Sequence, residues 1–219
     1  MSSSRVLNTE VIFELALEAA KRINAPRREG GKRDALVSVV FAAVSLEAFL
    51  NELIELAQDF ANYQNALPSI SAFAQLMPQL SRLPIVLRFQ MAHWMLTGGP
   101  YDTNSQSFQA LTLLFQIRND LVHFKPDPLT EGGEPKPTHT TLGKLLSKHI
   151  LNDSLAPESN RSWIQEVGTK AVAEWACNAA SLVAAELVSK LPAGAWRQSV
   201  EEVTRKISTV QFSSEDPTN

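Results

Sequence analysis

Apolar residues recur at three- and four-residue steps along nearly the whole chain, and no segment alternates with the two-residue period of a half-buried strand. A chain patterned in this way buries its apolar area only by laying helix stripes against one another, so the expected fold is all-α. Helices are expected at roughly 9–24, capped by Asn8 or Thr9, and at roughly 32–62, 70–80, 84–97, 104–124, 141–151, 158–191 and 195–209. Pro68, Pro78, Pro84 and the run Gly98-Gly99-Pro100 mark the breaks in the first half. The segment "KPDPLTEGGEPKPTH", residues 125–139, has four prolines and two glycines and reads as a long loop insertion. The polar end "SSEDPTN", 213–219, reads as a flexible tail, leaving 1–212 as one domain.

Composition narrows the class of function. With 44% apolar and 20% charged residues in 219 positions, the chain can build a sizeable core. The opening "MSSSRVLNTE" has no apolar signal core, and the apolar run "ALVSVVFAAVSL", 35–46, is too short to span a bilayer. The expectation is a soluble, cytoplasmic protein with no membrane partner. A net charge of −3 does not suit a dedicated duplex-DNA binder, whose affinity comes from broad cationic surface. Basicity is concentrated instead: "KRINAPRREGGKR", 21–33, carries +5 and leaves −8 for the remainder. Arg27, Arg28, Lys32 and Arg33 there are candidate RNA-backbone contacts, as is Lys125; a solvated connector between two helices explains the same residues. The single cysteine, Cys177, lies in "AEWACNAASLVAA" and reads as a buried thiol.

Two charges interrupt apolar rows. In the second helix, Leu36, Val40, Ala43, Leu50, Ile54 and Ala57 form a helical series in which Glu47 takes a core step, with Asn51 one turn along. In "FQIRNDLVHFKP", 115–126, Arg118 continues the row Phe108, Leu111, Phe115 and precedes Val122. A guanidinium cannot be neutralised to escape burial, so it needs a carboxylate or a water-filled cleft, and a Glu47–Arg118 pair across two helices is expected. Gln109, Thr112, Gln116, Asn119 and His123 form a separate polar stripe on the same helix.

The stretch "SLEAFLNEL", 45–53, followed by a later helix that ends in an arginine, a polar residue and a histidine five positions after the arginine, resembles the HEPN (higher eukaryotes and prokaryotes nucleotide-binding) superfamily. That resemblance implies a HEPN-like helical bundle with additional short helices, its core spanning about 8–190. It further implies a homodimer in which Arg118, Asn119 and His123 are catalytic, Glu47 and Asn51 support them, and RNA is cleaved without a metal. Such a metal-independent endoribonuclease would belong to a toxin–antitoxin or phage-defence system with a neutralising or effector protein partner. Some members are non-catalytic bundles that bind a protein or nucleic-acid partner, which is the alternative. Toxin members governed by a nucleotidyltransferase carry a tyrosine two residues beyond the histidine; Lys125 stands here, which removes that mode of control.

The same spacing occurs a second time, in "RFQMAH", Arg88 to His93. Phe89, Met91 and Trp94 surround that histidine, so this second pair reads as structural. The residues at 118–123 also argue for themselves. Pro126 disfavours helical geometry at Lys125, which puts His123 in the last helical turn, where free carbonyls favour an imidazolium. Such a histidine can move a proton at neutral pH, Arg118 can fork onto a phosphate, and Asn119 can orient either. No set of His, Cys, Asp and Glu has metal-ligand spacing, His139 and His149 being isolated, and no glycine-rich phosphate loop stands between a strand and a helix. No metal and no cofactor are expected.

Overall fold

A computed structural model describes residues 8–23, 30–62, 67–123, 140–151, 163–209 and 212, and every regular element among them is helical. In order these are α1 (Asn8–Arg22), α2 (Gly30–Ala61), α3 (Pro68–Leu76), a 3₁₀ turn (Met77–Leu80), α4 (Ile85–Thr97), α5 (Gln106–Val122), α6 (Thr140–Ser147), α7 (Trp163–Val167), α8 (Lys170–Ser189) and α9 (Ala195–Thr209). Arg27, Arg28, Lys125, the insertion 125–139 and the tail 213–219 lie outside the described residues.

The bundle is organised around α2, which packs against α1, α3, α5 and α8 and touches α7 and α9. Its buried set is therefore wider than one stripe. Ala43, Leu50, Ile54 and Ala57 are buried as the periodicity suggests, but so are Ala35, Val39, Ala42, Leu46, Phe49 and Leu53, while Leu36 and Val40 are only half-buried. Alanines at four of these positions let neighbouring helices approach closely, and phenylalanines from α1, α3, α4 and α5 fill the wider gaps. The second such helix is α8, whose Ala173, Ala176, Cys177, Ala180, Val183 and Ala184 are fully buried. Cys177 sits 3.4 Å from the Ser38 hydroxyl, and burial pushes its thiol up to about 11.

Length and composition alone would let α2 (from Gly31) and α8 cross a bilayer, which the run 35–46 did not reveal. In each, 61% of the apolar window is already buried against neighbouring helices, so the bundle consumes most of that apolar surface.

Two local features differ from the sequence expectations. The helix expected at 158–191 is interrupted: α7 ends at Val167, and Thr169 restarts the chain as the N-cap of α8, its hydroxyl accepting from the Val172 N–H. Gly168 fits the break because a side chain there would press on Lys32 at 3.3 Å. At the start of α1, the Thr9 N–H donates to the buried carboxylate of Glu52 at 2.9 Å, so an anion from α2 satisfies a free donor of α1.

Candidate functional site

Along one row of α5, exposure rises from Leu111 at 0% and Phe115 at 2% to Val122 at 54%. Arg118 sits where this row leaves the core. Its Nη2 donates to Glu47 Oε1 of α2 at 3.1 Å, and the two side chains keep 25% and 32% of their exposure. The two charges that interrupt apolar rows therefore meet, in a half-buried pair at the bundle edge. Arg118 Nη1 also donates to Asn119 Oδ1 at 3.0 Å, which fixes the guanidinium from a second side.

Asn51 has a different partner from the one its spacing suggests. It accepts from Arg88 Nη2 of α4 at 2.8 Å, so Glu47 and Asn51, one turn apart on α2, each hold one arginine. Both arginines open into one cleft of about 320 Å³, lined also by Glu47, Asn119, Phe115 and the residues that lead into α4, Ser81 to Val86 except Arg82. The Nε atoms of Arg88 and Arg118 are buried and have no hydrogen-bond partner among the described residues. Burial pulls the Arg88 guanidinium below its ordinary value, while the charge of Glu47 acts in the opposite direction; it stays cationic at neutral pH. Two guanidiniums around one carboxylate leave the cleft with a formal charge of +1. The sequence reading did not place Arg88 here. The signal was present, since Arg88 is the one formal charge in "IVLRFQMAHWMLT", an otherwise largely apolar helix.

The two histidines with equal spacing differ sharply. His93 is 5% exposed, its ring stacks on Tyr101 at 4.6 Å and 10°, and Nδ1 lies 2.9 Å from the Gly99 carbonyl. A carbonyl only accepts, so Nδ1 carries the proton and donates. Tyr101 in turn donates to the Ser107 hydroxyl, and burial pushes its phenol up to about 12. His93 thus fastens the turn after α4, where Gly98 adopts φ 77°. His123 is exposed and is the C-cap of α5, one residue beyond the helix, its N–H donating to the Asn119 carbonyl at 2.9 Å. It is not among the residues that line the cleft.

The polar stripe divides between two tasks. Gln116 donates to the Thr141 hydroxyl at 3.1 Å, and Gln109 accepts from Lys148 at 2.8 Å, so its first half docks α6 onto α5. Thr141 also donates to Asp120, which joins the last turn of α5 to the first turn of α6 on either side of residues 124–139. Only Asn119 and His123 remain toward the open end. Lys32 and Arg33 are exposed in the first turn of α2, about 22 Å along the helix axis from Glu47. They form no part of the cleft. Among the described residues no group of three His, Cys, Asp or Glu gathers as a metal site.

The arrangement can hold an oxyanion on two fixed guanidiniums flanked by the Asn51 and Asn119 amides, with the exposed His123 one turn along α5 from Asn119. Compared with known proteins, the chain matches no family model, no curated protein and no solved structure.

Proposed function

We propose that the chain is a metal-independent, HEPN-type endoribonuclease that works as a homodimer. The observation that carries this reading is the Glu47–Arg118–Asn119 arrangement at 3.1 and 3.0 Å in a cationic cleft, with exposed His123 one turn on from Asn119. Glu47 and Asn119 hold the Arg118 fork in one orientation, so no ordering is left for the moment when charge develops on a phosphate. A cleft of net positive charge with a single carboxylate attracts a phosphodiester more strongly than a divalent cation.

The chemistry follows from those groups. His123 removes the proton from the ribose 2′-hydroxyl, the freed oxygen attacks the adjacent phosphorus, and the bond from phosphorus to the 5′-oxygen breaks. A protonated His123 of a second copy delivers a proton to that leaving oxygen, giving a 2′,3′-cyclic phosphate and a 5′-hydroxyl. Arg118 stabilises the charge on the crowded phosphate. Two proton transfers need two imidazoles, which is the chemical reason for a two-fold dimer. Leu83, Leu87, Trp94 and Val122, exposed by 39–57% on or beside α4 and at the end of α5, supply apolar surface that a second copy can cover.

A cytoplasmic toxin or phage-defence role with a neutralising protein partner belongs to the same reading. The second reading, a non-catalytic HEPN-like bundle that binds a protein or nucleic-acid partner, is favoured by the position of His123 outside the cleft lining. Incubation with mixed cellular RNA in EDTA separates the two. Cleavage that disappears in His123→Ala supports the nuclease, whereas intact RNA after prolonged incubation supports the silent bundle. Light scattering at micromolar concentration is expected to return twice the 24.1 kDa chain mass, and a monomer would remove the two-imidazole mechanism.

A further inference from the structure

We propose that Arg88 is a second RNA-phosphate contact, the one cation among the described residues of the cleft whose charge no hydrogen-bonded carboxylate offsets; this deepens the ribonuclease reading and rests on it. Arg118 donates to a carboxylate, Glu47, and so brings little net charge with it. Arg88 donates to a neutral amide, Asn51, and keeps its full charge. Its Nε is buried without a hydrogen-bond partner among the described residues, so a ligand would meet the guanidinium at the remaining Nη1. A guanidinium that is partly desolvated and tied on one edge only is poised to accept an anion on another, and the loss of water around Arg88 strengthens that contact.

The residues beside Arg88 fit the same ligand. Pro84, the N-cap of α4, offers no side-chain cap, and Ile85 and Val86 of the first turn line the cleft with Ser81. Their backbone donors add a weak attraction for an anion that the two arginines already hold. Glu47 repels a small, compact anion at close range, whereas an extended phosphodiester chain can place one phosphate on Arg118 and another on Arg88. The division of labour is then clear: Arg118 faces the phosphate that reacts, and Arg88 sets where the strand lies. Spacing alone links Arg88 to His93, but that histidine is buried on α4 against the turn that follows it and takes no part.

The test is equilibrium binding of a short single-stranded RNA carrying 2′-O-methyl groups throughout, which lacks the free hydroxyl that the internal nucleophile needs, at several salt concentrations. Inorganic pyrophosphate serves as the small-anion probe. Wild type, Arg88→Met and Arg88→Lys are compared, with circular dichroism melts to confirm that each is folded. We expect Arg88→Met to weaken oligonucleotide binding about tenfold and to lower the salt slope by about 0.7, the value for one phosphate contact on a single strand. Arg88→Lys should keep the slope, and pyrophosphate should bind far more weakly than the oligonucleotide. An unchanged affinity and slope in folded Arg88→Met would overturn the proposal, and so would tighter binding of pyrophosphate than of the strand. Failure of the nuclease reading looks different: no RNA is cut, while Arg88-dependent binding persists. Should Arg88→Met impair folding, Asn51→Ala, which frees Arg88 from its tether without removing charge, is expected to weaken binding with the salt slope preserved.

Discussion

The segments 88–93 and 118–123 have the same arginine-to-histidine spacing, one within α4 and the other running to the C-cap of α5, and both send their arginine into the same cleft. Their histidines could hardly differ more. His93 is enclosed by Tyr101 and the Gly99 carbonyl, whereas His123 caps the open end of α5. The spacing sets only the turn offset between two side chains. What lies beyond the histidine decides its environment: after α4 the chain folds back through Gly98 and Tyr101 over His93, and after α5 it leaves the helix at His123. A pair motif therefore splits into two separable halves, and the arginine that precedes a structural histidine can still line the cleft.

Substituting each histidine exposes that split most strongly. His123→Ala is expected to lower RNA cleavage by about 10²- to 10⁴-fold, the range for a lost general acid or base, while the melting temperature stays put. His93→Ala removes a buried hydrogen bond and a stacked ring, a loss of about 2 kcal/mol, which lowers the melting temperature by roughly 4–8 °C. Activity per folded molecule should survive. Assays of both variants with melts alongside decide the matter, and equal loss of specific activity in the two folded variants would place the chemistry at the wrong segment.

Between the two arginines the contrast is one of charge partner. Arg118→Ala should reduce cleavage by about 10²- to 10³-fold through the lost phosphate charge. Its effect on stability is smaller, about 1 kcal/mol or less, since the Glu47 pair keeps a quarter to a third of its exposure and water can solvate the remaining carboxylate. A stability loss of several kcal/mol, read from urea titration, would mean that the pair is structural.

The smallest effect lies at alkaline pH, in the buried acids that the site does not use. Folded Cys177 titrates near 11 against an ordinary 9.0, and folded Tyr101 near 12 against 10.0. Both pKa values are raised by burial, so the folded state keeps protons that the unfolded chain releases, and stability falls as pH rises. It is intact below about pH 9, declines through about 11 on account of Cys177, and declines from about 10 to 12 on account of Tyr101. Cys177→Ala should delay the onset by about one pH unit in denaturation midpoints, and an unchanged onset would assign the decline elsewhere.

The legible parts of the molecule are those where a residue violates its own local pattern. Glu47 and Arg118 each stand in an apolar row, and that was enough to predict their meeting, which the 3.1 Å contact bears out. The helix positions followed from periodicity in the same way. Arg88 was missed because it was judged together with His93 as one unit, although only the histidine is enclosed. The docking of Gln109 and Gln116 on α6 was not legible, since which helix covers a polar stripe depends on how the chain returns after residue 139. The break at Gly168 escaped for the opposite reason: α7 and α8 continue one another's periodicity, and only the close approach of Lys32 and the Thr169 cap interrupt it.

The most direct measurement uses one RNA in two forms, identical except for a single 2′-deoxy sugar at the cleaved nucleotide, each incubated with the wild-type protein in EDTA. We expect the all-ribose strand to be cut to a 2′,3′-cyclic phosphate end and the deoxy strand to remain whole at that position, because the proposed mechanism uses the substrate's own hydroxyl as nucleophile. Cutting of the deoxy strand, or cutting that stops in EDTA and returns with magnesium, would contradict it.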